Sequence, residues 1–361
     1  MKFDPRAAMR RSIHHLAPYY RAPREPLLRM DQNTNLVGRN PTLGRIGLDR
    51  LEFNQYPTRD ADDLIAGLES HYALPEGSVL AGNGSDEILD IVLKGFTDPG
   101  DSLVVPSPSY SLYPFYAALH DLRFEEVPLD LDHRTDMDGL LAAAGKVTLV
   151  ASPNNPTGGA VPRDDLVRLV EEAPGLVVVD EAYIEYADEG TLLPLVTSQR
   201  NLVVMRTFSK AYALAGARLG WLAAHPDTTA VLGLVKPPFN VNVVTEAIGL
   251  QALKEQAFVE EGVAVVRSER PRLAAALAER GFEVVPSDAN FLLTFPPDGL
   301  DGPVLAERLH AAGIAARIFP RVARLARAIR FTVGPRADNE RLLSTLDQVL
   351  GARRIDQEGA A

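Results

Sequence analysis

The chain has no cysteine among its 361 residues. Disulfides, thiolate metal sites and cysteine nucleophiles are therefore excluded. A reducing compartment is compatible with this composition. Basic residues are also in deficit: Lys plus Arg number 37 against 48 Asp plus Glu, a net charge of -11. So acidic a chain is a poor general partner for nucleic acid or an anionic membrane, though a local basic pocket for a small anion remains open. No apolar run approaches the ~20 residues of a membrane-spanning helix. The N-terminal Arg6, Arg10 and Arg11 are not followed by an apolar stretch, so no signal peptide is expected and the expected location is cytoplasmic.

What is present is ordinary for a globular protein, with 46% hydrophobic and 24% charged residues. At about 150 residues per domain the length suggests two domains. Pro5, Pro18, Pro23, Pro26 and Pro41 break the first 45 residues into a short helix and an extended arm. From about residue 60 helical periodicities alternate with short apolar runs. Helices are expected at Ala61–His71 and Ser85–Phe96. Strands are expected at Leu103–Val105, Val147–Ala151, Leu176–Asp180, Leu202–Arg206 and Leu219–Ala223. Several of these runs are apolar throughout, as strands covered on both faces must be. Val147–Ala151, the helix Arg163–Ala173 and Leu176–Asp180 make one βαβ unit.

The pattern changes after about residue 245. A long helix is expected from Val244 to about Arg280, with Pro271 as its one interruption. Strands follow at Phe282–Val285, Asn290–Thr294, Ile314–Arg317 and Ile329–Val333, with helices at Pro303–Ala312 and Asp338–Leu350. The tail from Gly351 is expected to fray. The reading is an α/β fold: an arm over 1–45 packing on the small domain, a large domain with a mostly parallel sheet over 46–245, and a smaller α+β domain over 246–361.

Ligands of open α/β sheets bind beyond the carboxyl ends of the strands. Three neighbouring strand ends carry chemistry there. Val147–Ala151 leads into Ser152-Pro153-Asn154-Asn155-Pro156-Thr157-Gly158. Leu176–Asp180 leads into Glu181-Ala182-Tyr183. Leu202–Arg206 leads into Thr207-Phe208-Ser209-Lys210, with Arg218 following. Lys210 reads either as a surface lysine or as an amine whose basicity desolvation and a nearby cation lower, suited to a Schiff base. Asp180 reads either as a cap at a strand end or as a buried carboxylate needing a cationic partner, such as a protonated pyridine nitrogen. Asn155 and Tyr183 are donors for a phenolate oxygen, or, for Asn155, simply part of a turn. Gly82-Asn83-Gly84-Ser85 opens a helix, as a phosphate cradle or as an N-cap at Ser85. Asp86 and Glu87 in its first turn weigh against the phosphate. Tyr110 is either a stacking ring for an aromatic cofactor or a half-buried core tyrosine.

Together these segments resemble the fold-type I pyridoxal-phosphate aminotransferases. The lysine motif is Thr207-Phe208-Ser209-Lys210-Ala211-Tyr212 through Gly216-Ala217-Arg218-Leu219-Gly220. Asn154–Gly158 and Asp180–Tyr183 match the family's other motifs in order. Asn54-Gln55-Tyr56-Pro57, Gly82–Glu87, Leu16-Ala17-Pro18-Tyr19 and Ile329-Arg330-Phe331-Thr332-Val333-Gly334 resemble its histidinol-phosphate branch.

The resemblance implies a seven-stranded large sheet, pyridoxal 5'-phosphate as cofactor, no metal, and a homodimer sharing its active sites. Lys210 would hold the cofactor and shuttle a proton. Asp180 would pair with the ring nitrogen, Asn155 and Tyr183 with the ring oxygen, and Tyr110 with the ring face. Gly84, Ser85, Asp86, Ser209 and Arg218 would form the phosphate end, joined by Tyr56 from a partner subunit. Tyr19, Asn33, Tyr56, Asn155, Arg317 and Arg330 would meet the substrate. The implied reaction is transamination of L-histidinol phosphate with 2-oxoglutarate. Thr34 and Leu36 depart from the branch pattern, leaving an aromatic or broad-specificity aminotransferase, or a decarboxylase of a phosphorylated amino acid, as alternatives. Ala213 and Ala217 stand where glycine and leucine are common. A DNA-binding regulator built on this fold is disfavoured, because no helix-turn-helix pattern or basic block stands out.

Overall fold

The computed structural model describes residues 4–6, 8–17 and 27–358, with side chains as far as residue 351. Its centre is a seven-stranded sheet of β1 (Val79–Gly82), β2 (Ser102–Ser107), β3 (Arg123–Pro128), β4 (Val147–Ala151), β5 (Leu176–Asp180), β6 (Leu202–Thr207) and β7 (Gly220–Ala224). The spatial order is β1-β7-β6-β5-β4-β2-β3. Pairings from β6 through β3 are parallel, while β7 runs antiparallel to both β6 and β1. The apolar runs have the burial that a sheet covered on both sides demands. Val177 and Val179 face one core, whereas Leu176 and Val178 face the other.

Two strands lack a sequence signal. β3 reads Arg-Phe-Glu-Glu-Val-Pro and lies at the edge, where one rim of its backbone needs no apolar cover. β1 is four residues ending in Gly82, too short for a periodicity to register. The helix Gly84–Phe96 begins at Asn83, with no side-chain cap, so Ser85 sits inside the first turn and is not the N-cap.

A second, four-stranded antiparallel sheet contains β8 (Glu283–Val284), β9 (Phe291–Phe295), β10 (Arg317–Ile318) and β11 (Ile329–Thr332), in the order β10-β11-β9-β8. The single strand expected over Ile314–Arg317 is instead two. Ile314–Ala315 pairs in parallel with Leu28–Arg29 of the N-terminal arm, and Arg317–Ile318 pairs with β11. The arm also accepts a hydrogen bond from Thr332 N at Met30 O, 2.8 Å. It is thus stitched to the strand that carries Arg330.

The long helix expected from Val244 to Arg280 is also two, Val243–Ala252 and Gln256–Glu279. The break falls at 253–255. Pro271 lies inside the second helix without ending it; a proline there removes one backbone donor, and packing of Val266, Leu273 and Leu277 in the core outweighs that loss. The last helix, Arg336–Glu358, runs past the expected end at Leu350. Among the described residues no helix is long and apolar enough to cross a membrane.

Candidate active site

One cleft of about 1570 Å³ opens where the carboxyl ends of β4, β5 and β6 face the arm and the small sheet. Lys210, Asp180, Tyr183, Asn155, Tyr110, Ser85, Asp86, Ser209, Arg218, Asn33, Arg317 and Arg330 all line it. Residues spread from 33 to 330 in sequence are therefore brought to one wall system. Tyr19 lies outside the described residues. Tyr56 does not line the cleft; its ring is 83% exposed and stacks on Phe239 at 5.1 Å.

The floor is Asp180, the last residue of β5. The strand's burial carries the carboxyl inside with it, 8% exposed. Oδ1 accepts from Ala182 N at 3.1 Å and Oδ2 accepts from the Tyr113 hydroxyl at 2.9 Å. Burial pushes this carboxyl up to about 6, with those two hydrogen bonds pulling back toward the ionised form. Tyr113 itself is held protonated by burial and by the adjacent carboxylate. It had no signal in the sequence beyond lying three residues after Tyr110, and the two rings meet edge to face at 5.5 Å.

Lys210 follows β6 and is half-buried. Its Nζ donates to Gln32 O at 3.1 Å and sits 5.5 Å from the Tyr183 ring centre. Tyr183 is fixed from two other sides. Its hydroxyl accepts from Asn33 Nδ2 at 3.1 Å, and its ring meets Phe291 edge-on at 5.2 Å. Asn33 has φ of 54°, and its N–H donates to Thr332 Oγ1 at 3.0 Å.

At one end the helix Gly84–Phe96 points its first turn toward Arg218. Gly84 has φ of +81°, and a Cβ there would come within 2.6 Å of Arg218 Nη2. A Cβ at Gly220 would meet Ser85 N at 2.3 Å. Gly84 is required by its positive φ, and Gly220 by the close approach of backbone. The acids in this turn are spoken for: Asp86 pairs with Arg218 at 3.1 Å and accepts from Tyr110 at 3.4 Å, while Glu87 accepts from Asn83 N at 2.6 Å. Ser209 is buried and tied to Thr207 Oγ1 at 3.0 Å. A glycine-lined helix start faced by an arginine is a geometry that can hold an anion.

At the opposite end stand two arginines. Arg317 of β10 and Arg330 of β11 are direct partners in an antiparallel pair, so both side chains leave the same face. Like charges so placed are unfavourable unless an anion joins them. Arg330 is 5% exposed. It donates to Asn155 Oδ1 at 2.5 Å and to Asp31 O at 2.9 Å, over the Phe291 ring at 4.9 Å. The Asn155 bond turns the donor end of that amide away from the arginine.

The cleft thus brings together an amine, a buried carboxylate, a phenol, an amide, a glycine-lined helix start and a pair of arginines. An open α/β sheet with this arrangement defines a transferase site of the pyridoxal-phosphate type. The chain belongs to the aminotransferase class I and II family, whose model matches residues 39–346. It is 37% identical to histidinol-phosphate aminotransferase 3 of Mesorhizobium japonicum, over 81% of this chain and 80% of that protein. It is 35% identical to histidinol-phosphate aminotransferase 1 of a Nostoc species, over 95% and 98%. Its structure superposes on histidinol-phosphate aminotransferase from Sinorhizobium meliloti, solved in complex with pyridoxal-5'-phosphate, with a TM-score of 0.88, at 28% identity, covering 96% and 98% of the two chains.

Proposed function

We propose that this chain is a pyridoxal-phosphate-dependent aminotransferase acting on L-histidinol phosphate and 2-oxoglutarate, giving imidazole acetol phosphate and L-glutamate in histidine biosynthesis. One observation carries the reading: the Lys210 amine, the buried Asp180 carboxylate and the paired Arg317 and Arg330 share a single cleft. The names of the similar proteins point the same way.

The residues fit the cofactor on their own chemistry. Lys210 offers an amine for covalent attachment. Asp180 offers a carboxylate whose burial asks for a cationic partner such as a ring N–H. Gly84, Ser85, Asp86, Ser209 and Arg218 form the phosphate end, in which Asp86 orients Arg218. Bound there, pyridoxal phosphate supplies an electron sink for the pair left behind when a substrate Cα gives up its proton.

The remaining work falls to the chain. Lys210 Nζ would take the proton from the substrate Cα and hold it for return. Asp180 would balance positive charge at the ring nitrogen. Tyr183, braced by Asn33 and Phe291, and Asn155, braced by Arg330, would donate to the ring oxygen. Tyr110 would cover the ring face. Arg330 and Arg317 clamp the phosphate of one substrate or the carboxylate of the other, so one cation pair serves both halves of a ping-pong cycle.

We further propose an arm over 1–45, a large domain over 46–245, a small domain over 246–361, and a cytoplasmic homodimer in which Tyr56 completes the partner's site. Leu43, Leu48, Phe53 and Tyr56 are all more than half exposed, an apolar surface consistent with burial against a second copy.

Thr34 lines the cleft where the branch pattern differs, so amino-donor choice is the part to test. Holoprotein is mixed with single donors and conversion of the bound cofactor to its amine form is followed by absorbance. Histidinol phosphate and glutamate are expected to convert it. A spectrum left unchanged by histidinol phosphate but bleached by phenylalanine contradicts the assignment.

A further inference from the structure

Tyr113 lies outside every motif used so far, yet it makes one of the two hydrogen bonds that Asp180 receives from the chain. It is 1% exposed, on the helix Tyr113–Leu119 that follows β2, and its hydroxyl has Asp180 Oδ2 as its hydrogen-bond partner. We infer that Tyr113 is a positioning residue which, through its hydroxyl, fixes the Asp180 carboxylate and keeps it ionised against the ring nitrogen. The inference rests on the cofactor placement proposed above.

A carboxylate sealed at a strand end is unstable as an ion unless donors compensate. The groups facing Asp180 are few. Lys210 favours its ionised form, Asp86 disfavours it, and Tyr110 and Tyr183 ring the same space around Tyr113. Among the described residues, the donors that touch the carboxylate are the Tyr113 hydroxyl and Ala182 N, and Ala182 N is backbone, fixed by the fold. The tyrosine is the adjustable one. Tyr113 stays protonated because burial and the neighbouring carboxylate both oppose its ionisation, so it can only donate. Its bond to Oδ2 also selects one rotamer of the carboxylate. Loss of a hydrogen bond to a charged group moves carboxyl titration by about one pH unit or more.

Tyr113→Phe removes the hydroxyl alone and keeps the ring that packs on Tyr110. Three readouts separate positioning from bulk structure. In apoprotein, the loss of thermal stability caused by Tyr113→Phe should be larger at pH 7.5 than at pH 4.5, because only the ionised carboxylate needs the donor. The sign follows from the raised Asp180: the folded chain holds a proton that the unfolded chain releases, so the stability this group contributes is lost between about pH 4 and about pH 6. The variant extends that loss upward by about one unit.

In holoprotein, weaker charge at the ring nitrogen lets Lys210 Nζ hold its proton to higher pH. The midpoint of the visible absorbance should rise, and kcat should fall about 10-fold with KM within about 2-fold. In an Asp180→Asn background the same change should move neither midpoint nor kcat. Equal stability losses at both pH values, with an unshifted absorbance midpoint, overturn the inference. A wild-type chain that takes up no cofactor at Lys210 overturns the functional reading along with it. A labelled Lys210 with an unmoved Tyr113→Phe titration overturns this inference alone.

Discussion

The wall of the cleft that carries Lys210, Asp180 and Asn155 comes from three adjacent parallel strand ends of the seven-stranded sheet. The wall that carries Arg330, Arg317 and Asn33 comes from segments about three hundred residues apart, with the arm laid against β11 through Asn33 and Thr332. The first wall rests on a sheet covered on both faces. Its strands are buried on both faces, and behind Glu181 sits a sealed ion pair in which Arg206, 6% exposed, donates to Glu181 at 2.8 Å and 3.0 Å. The second wall depends on backbone carbonyls of the arm. Gln32 O accepts from Lys210 and Asp31 O accepts from Arg330, so two neighbouring peptide groups of the arm reach one side chain on each wall. The proposed cofactor end thus rests on the buried sheet, and the proposed substrate end on a seam between the arm and β11.

If that contrast is right, breaking the buried pair should cost stability more than activity. Arg206→Met leaves Glu181 without its cation in a dry site, with the Tyr72 ring 5.2 Å from where the guanidinium lay. Loss of one partner of a buried pair costs about 3–5 kcal/mol. Chemical denaturation should show that loss, and an unchanged midpoint would mean the first wall is not held from behind.

Changes in the seam should do the reverse. Arg330→Lys keeps the charge but loses the planar fork that reaches Asn155 and Asp31 together. It should lower kcat/KM about 100-fold for the phosphorylated donor, mainly through KM. Arg317→Ala, at a half-buried position, should cost about 10-fold in the same assay. A larger effect at Arg317 than at Arg330 would reverse the order of the pair.

The smallest effect is expected next to Lys210. Ala213 has φ of 56°, in the left-handed region where a Cβ is unfavourable, and its N–H donates to Lys210 O at 3.0 Å. Ala213→Gly should raise stability by about 1 kcal/mol, read as a higher thermal midpoint. A lowered midpoint would show that the alanine methyl contributes packing there.

The same contrast explains what could be read from the chain alone. Strand ends are local: each motif directly follows an apolar run, so the strand identifies the motif and the motif confirms the end of the strand. Val147–Ala151 and Leu176–Asp180 were legible to the residue for that reason. The seam was not. Ile314–Arg317 reads as one strand, because nothing in four residues says that the first two pair with residues 28–29 and the last two turn to β11. The break at 253–255 was hidden by a proline that proved harmless eighteen residues on. Tyr113 had no motif at all, since its importance lies in a contact across 67 positions of sequence.

The account stands on a covalent bond between the ε-amine of Lys210 and the cofactor aldehyde. Holoprotein reduced with borohydride, digested and mapped by mass spectrometry should carry a single pyridoxyl group, on the peptide containing Lys210. A tag on another lysine such as Lys236, or on none, would contradict it.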